Sequence, residues 1–137
     1  MPIYESFDSK EDLINELSTF NEEKYIEKDK TMYDRYYRLL REGIKYPNFY
    51  LSVADYDVRK KHNENIIAHV CRIVKKHEKL KHLSDHYAFQ CNTRIEVFIL
   101  GMVYIYKDLP ESKKEDKKMM DILNNCIDAF IEYYSKF

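Results

Sequence analysis

The chain has 137 residues, 45% of them hydrophobic and 34% charged, which is enough for one domain over residues 1 to 137 with a single buried core. Two Gly and three Pro leave little material for tight hairpins, and the abundance of good helix formers points to an all-α class. A net charge of -1 gives no global reason to expect nucleic acid or an anionic membrane surface as partner.

In chain order, residues 1 to 8 read as a lead-in, after which Ser9-x-x-Asp12 caps a first amphipathic helix carrying Leu13, Ile14, Leu17 and Phe20. A charged connection over 21 to 30 leads to Thr31-x-x-Asp34, a capping box that opens a second helix. Its apolar positions Tyr33, Tyr36, Tyr37, Leu40 and Ile44 recur at spacings of three and four, and Pro47 stops it by pushing Tyr46 out of the α region. Residues 47 to 57 are aromatic without a clear period and predict a loop with one helical turn. Asn63 is a good cap for a third helix with Ile66, Ile67, Val70, Cys71, Ile73, Val74 and His77 on a broad face. Residues 79 to 90 predict a turn and a short separate helix.

The most apolar stretch, residues 93 to 108, is the expected central buried helix. Thr93 and Glu96 stand as a capping box before it, and Pro110 ends it. Its uninterrupted apolar run, 97 to 106, is half of the ~20 residues that a bilayer crossing needs, so the core of a globular protein suits it better than a membrane. Gly101 inside it costs about 1 kcal/mol relative to Ala, which calls for close approach by another backbone. Ser112-x-x-Glu115 caps a last helical region with Met119, Leu123, Cys126, Ile127, Phe130 and Tyr134 at helical spacing, and Asn124-Asn125 is a candidate break within it.

Nothing in the residues calls for catalysis, a metal or a cofactor. His82-x-x-x-His86 with Cys91 nearby has the spacing of a zinc site but lacks the Glu and further ligands of one, so these histidines read as surface groups. No Gly-rich turn or oxyanion-hole pattern accompanies any Cys. Three Cys, an odd number, without a signal peptide point to free thiols in a reduced intracellular setting, with Cys91 a candidate cross-link between chains if it is exposed. The basic clusters at 59 to 61, 75 to 81 and 113 to 118 are mixed with acids and read as solvated helix faces. Thirteen Tyr are many for one small core, and the stripe in the second helix fits either half-buried packing or a hydrophobic binding groove with wet hydroxyls at its rim.

Short motifs then carry a resemblance. Residues 124 to 134, Asn-Asn-Cys-Ile-Asp-Ala-Phe-Ile-Glu-Tyr-Tyr, resemble the second homology motif of the Bcl-2 family, with Asp128, Phe130, Glu132 and Tyr134 identical and Ile131 similar in class. Asn92-Thr93-Arg94-Ile95, followed by Val97, Phe98 and Gly101, resembles the first homology motif, and Leu39-Leu40-Arg41-Glu42-Gly43 resembles the third. Leu13, Ile14 and Leu17 are compatible with the fourth, and the motifs stand in the family's order. Thr93 replaces a Trp-Gly, Ile127 replaces a Trp, and Ile44 replaces the acidic residue after the motif glycine, so a killer-ligand role for this chain's own third motif is not expected. The interval from Arg94 to Asp128 is short for the family, and the sequence shows no C-terminal membrane anchor. The likeness is to the compact survival homologues carried by large DNA viruses.

The resemblance implies a Bcl-2-like helical bundle around a central hydrophobic helix. It further implies a groove that receives the amphipathic third-homology helix of a pro-apoptotic Bcl-2 protein. Carried over to this chain, the groove would be built from Tyr36, Leu40, Ile44, Tyr46, Ile67, Val70, Val74, Asn92, Arg94, Val97 and Tyr134, with Arg94 meeting the partner's invariant Asp. The implied activity is inhibition of apoptosis from the cytoplasm, with peripheral contact at mitochondria, no transmembrane anchor and no nucleic acid. An empty groove would also favour a homodimer. Two other readings stand beside it: a viral adaptor of the same fold that suppresses innate immune signalling, and a plain helical dimerisation module.

Overall fold

The computed structural model describes residues 28 to 52 and 64 to 137. The expected first helix, the Asn63 cap and the side chain of Ile66 lie outside the described residues. Within them the chain is all-helical, with no strand.

Helix α1, Met32–Lys45, begins where the capping box predicts. The Asp34 N–H donates to Thr31 Oγ1 at 3.2 Å and the Thr31 N–H donates to Asp34 Oδ2 at 3.1 Å, so each side chain satisfies a backbone donor that the first turn leaves open. It buries Met32, Arg35, Tyr36, Leu40 and Gly43 along one face. Pro47, which tolerates the first position of a helix, restarts the helical path, and residues 47 to 52 are helical.

Helix α2, Glu64–Lys75, buries Val70, Cys71, Ile73 and Val74. A short 3-10 turn follows at Glu78–Leu80, where His77 Nδ1 accepts from the Lys79 N–H at 3.1 Å. Helix α3, Asp85–Tyr106, is the longest element and packs against α1, α2 and α4. After a second 3-10 turn, Glu111–Lys113, helix α4 runs from Asp116 to Tyr134 and buries Met119, Leu123, Ile127, Ile131 and Tyr134.

Four expectations are corrected. The central helix starts at Ser84, not at Thr93: Ser84 Oγ accepts from the Tyr87 N–H at 3.3 Å, while the Thr93 hydroxyl donates to the Phe89 carbonyl one turn back, a bond that an interior Thr makes readily. Residues 85 to 90 therefore belong to α3, not to a separate short helix. The last helix starts after Glu115, and Ser112 falls in the 3-10 turn instead of capping it. It runs unbroken through Asn124-Asn125, because burial of Leu123 and Ile127 outweighs the ~0.7 kcal/mol that each Asn costs in a helix interior.

The fourth correction concerns glycine. No atom of the described residues lies within 4 Å of where a Gly101 side chain would begin, whereas a Cβ on Gly43 would stand 2.6 Å from Val103 Cγ2. The close approach between helices is at Gly43, where α1 meets α3.

Candidate functional site: one open face of the central helix

A helix that is hydrophobic all round is normally covered all round. Helix α3 is covered on the side formed by Ala88, Cys91, Asn92, Ile95, Glu96, Ile99, Met102 and Val103. Along its other side Val97 is 45% exposed, Phe98 37%, Tyr104 58% and Ile105 68%, with exposed Arg94 at one end and exposed Gly101 in the middle. Their spacing of three and four places them on a single stripe. A contiguous apolar surface of this kind marks a docking face more often than it marks plain solvent.

Arg94 stands at the head of the stripe. Its guanidinium carbon lies 5.7 Å from the centroids of both the Tyr133 and Tyr134 rings, stacking contacts that hold the side chain beside the end of α4. Tyr87 and Tyr133 pack against Phe137 at 4.9 and 5.1 Å, so the exposed aromatic surface continues around the Arg94 end. Burial pushes the Tyr134 phenol upward while Arg94 pulls it the other way. The Tyr134 hydroxyl donates to Gln90 Oε1, which leaves its ring in the core and its polar tip bonded across to α3.

The residues assigned to a groove by resemblance separate in space. Arg94 and Val97 share the open face, and Tyr46 is exposed elsewhere, at the end of α1. Tyr36, Leu40, Val70, Val74, Asn92 and Tyr134 are wholly buried, and Ile67 and Ile44 are half-buried. The Tyr stripe of α1 is thus packing: Tyr36 donates to Asn92 Oδ1 at 2.7 Å inside the core, and Tyr37 and Tyr33 donate to Asn124 and Asp128 of α4. Ile44 lines a different feature, a cleft of about 420 Å³ with Leu40, Met119 and Met120 and the charged Arg41, Lys45, Glu111 and Asp116. That cleft is at the beginning of α4 and Arg94 is at its end, some 21 Å apart along a helix that rises 1.5 Å per residue.

Residue-type spacing had not singled out Phe98, Gly101, Tyr104 or Ile105 as surface, because each belongs to an unbroken apolar run. Asn92 Nδ2 is buried with no hydrogen-bond acceptor among the described residues, a cost tolerated where Asn92 Oδ1 takes both Tyr36 and, at 3.4 Å, Arg35 Nε. The described residues hold no cluster of His, Cys, Asp and Glu suited to a metal; His82 and His86 are exposed. Cys91 is fully buried, and burial holds its thiol up at about 12, so the cross-link between chains considered for it is ruled out in this folded form. Among the described residues no helix is long and apolar enough to cross a membrane. Comparison of the chain with protein-family models, with curated proteins and with solved structures finds no match.

Proposed function

We propose that the chain binds the amphipathic third-homology helix of pro-apoptotic Bcl-2 proteins and thereby restrains apoptosis. The observation that supports this reading is Arg94: an exposed guanidinium at the head of an apolar face formed by Val97 and Phe98 and bordered by Tyr133 and Tyr134. An amphipathic helix with apolar anchors at helical spacing and one carboxylate would match such a face, its anchors on Val97 and Phe98 and its carboxylate on Arg94. Of the motifs that carry the resemblance, Arg94, Val97 and Phe98 from residues 92 to 101 and Tyr134 from residues 124 to 134 meet at this place.

The test is titration of a pro-apoptotic third-homology peptide against the parent chain and Arg94→Ala, read by calorimetry. Truncating one side of a desolvated charge pair typically costs about 2 to 5 kcal/mol, so the variant should bind about 30-fold to several thousand-fold more weakly while its melting temperature stays within a degree or two. Changing the peptide's Asp to Ala should cost a similar amount, and combining both changes should add little. Binding by Arg94→Ala within about threefold of the parent would overturn this reading.

A further inference from the structure

The open face of α3 is symmetric about Gly101 in the position of its apolar residues and antisymmetric in charge. Counting from Gly101, Phe98 and Tyr104 stand three residues to either side and Val97 and Ile105 four to either side. Seven residues to either side stand Arg94 and Asp108, opposite in charge and both exposed. Among the described residues neither Arg94 nor Asp108 is in an ion pair. Lys107 keeps right-handed helical dihedrals, φ -57 and ψ -35, so Asp108 falls close to where a continued helix would carry it.

We infer that α3 is the contact of an antiparallel homodimer whose two-fold axis passes through Gly101. In an antiparallel pair about that axis, residues whose numbers are equidistant from 101 face each other across the interface. Val97 then meets Ile105 of the second copy, Phe98 meets Tyr104, and Arg94 meets Asp108, each pair occurring twice. A parallel pairing would set Arg94 against Arg94, so charge selects the antiparallel arrangement. The offsets of three, four and seven repeat every 3.5 residues on average, the period of helices that pack side by side at about 20°. Gly101, with none of the described residues within 4 Å of its missing side chain, lets the two backbones close to the short end of the usual ~8 to 10 Å interaxial range. The glycine that costs helix propensity and has no neighbour among the described residues thus has a use between protomers.

An interface one helix wide belongs to the weak, concentration-dependent class. It also occupies Arg94, so the dimer and a bound partner helix exclude each other; the dimer itself stands on the geometry about Gly101 and is measured on the protein alone.

Sedimentation equilibrium of the full chain at about 10 to 500 µM, the range for an interface of this class, reads the association. The parent should self-associate. Arg94→Asp and Asp108→Arg should each weaken the dimer at least tenfold, about 1.4 kcal/mol, because each reversal turns two attractions into two repulsions. The combined variant should return to within about threefold of the parent. Gly101→Glu, whose side chain meets none of the described residues, should keep the parent's far-UV circular dichroism and melt no lower than the parent, yet remove the dimer. In a Cys126→Ser background, which removes the half-buried third thiol, Gly101→Cys should form a covalent dimer on mild oxidation, and the background chain, with Cys71 and Cys91 buried, should not. A parent that remains a monomer at the highest concentration overturns the inference. So does association indifferent to Gly101→Glu, a combined charge swap no stronger than the single ones, or a Gly101→Cys chain that does not cross-link.

Discussion

Arg35 of α1 and Glu96 of α3 form an ion pair of 2.6 Å inside the bundle, with side-chain exposures of 1% and 10%. The same guanidinium donates through Nε to Asn92 Oδ1, so one α1 side chain ties two successive turns of the central helix. Buried pairs add little net stability against apolar replacements, but removal of one partner leaves a desolvated charge without its counterpart. Arg35→Met should lower the unfolding free energy by about 3 to 5 kcal/mol in urea, and Arg35→Met combined with Glu96→Leu should lose less than Arg35→Met alone. A double variant weaker than the single would contradict this account.

The two glycines should respond with opposite signs. Gly43→Ala forces a methyl to 2.6 Å from Val103 Cγ2 and 3.0 Å from Tyr50 Cδ1, and overpacking of that kind costs about 1 to 3 kcal/mol. Gly101→Ala meets none of the described residues and should stabilise by about 0.5 to 1 kcal/mol through helix propensity alone. Urea unfolding at micromolar protein checks both, and Val103→Ala should relieve part of the Gly43→Ala loss.

The buried thiols set an alkaline limit. Burial raises Cys91 to about 12 and Cys126 to about 11, against an ordinary value of 9.0. Below pH 9 folded and unfolded chains both keep these protons. As pH rises from about 9 towards 12 the unfolded chain releases them first, so deprotonation draws the equilibrium towards unfolding and stability falls across that window. Urea midpoints at successive pH values should show the decline, with a shallower slope in Cys91→Ala. A thiol reagent at pH 8 should label Cys91 only as fast as the chain unfolds.

Tyr33 and Tyr37 bond to Asp128 and Asn124, two rungs one helical turn apart whose order shows that α1 and α4 run antiparallel. Desolvation first, and then the bond and charge of Asp128, push the Tyr33 phenol up. Asp128→Ala and Tyr33→Phe should each cost about 1.5 kcal/mol, the lower end for a bond to a charged group, and the double variant about the same as either one. Additive losses would show that the two side chains act separately. The Asp128 of the C-terminal motif is on this reading a brace between helices, apart from any partner.

Local chemistry in the sequence set much of the fold. The Thr31-x-x-Asp34 box, the restriction before Pro47 and the 3.6-residue burial pattern of α1, α2 and α4 are interactions within one or two turns, so they are legible without knowing the partner elements. Residues 85 to 92 were not: they bury only the small Ala88 and Cys91 and the polar Asn92, and Asn92 is accommodated inside because Tyr36 and Arg35, 56 and 57 positions earlier, reach it. Which glycine permits close approach was likewise settled by where α1 crosses α3.

The candidate site divides in the same way. Sequence motifs located Arg94 and the apolar run after it, since residue identity and order are enough for that. They could not tell which side of that run is covered, because a helix that is apolar all round carries no periodic signal of its own. Only packing against α1, α2 and α4 chose Ile95, Ile99 and Val103 for the core and left Val97, Phe98, Tyr104 and Ile105 outside, since the side on which neighbours stand is a property of the assembled bundle.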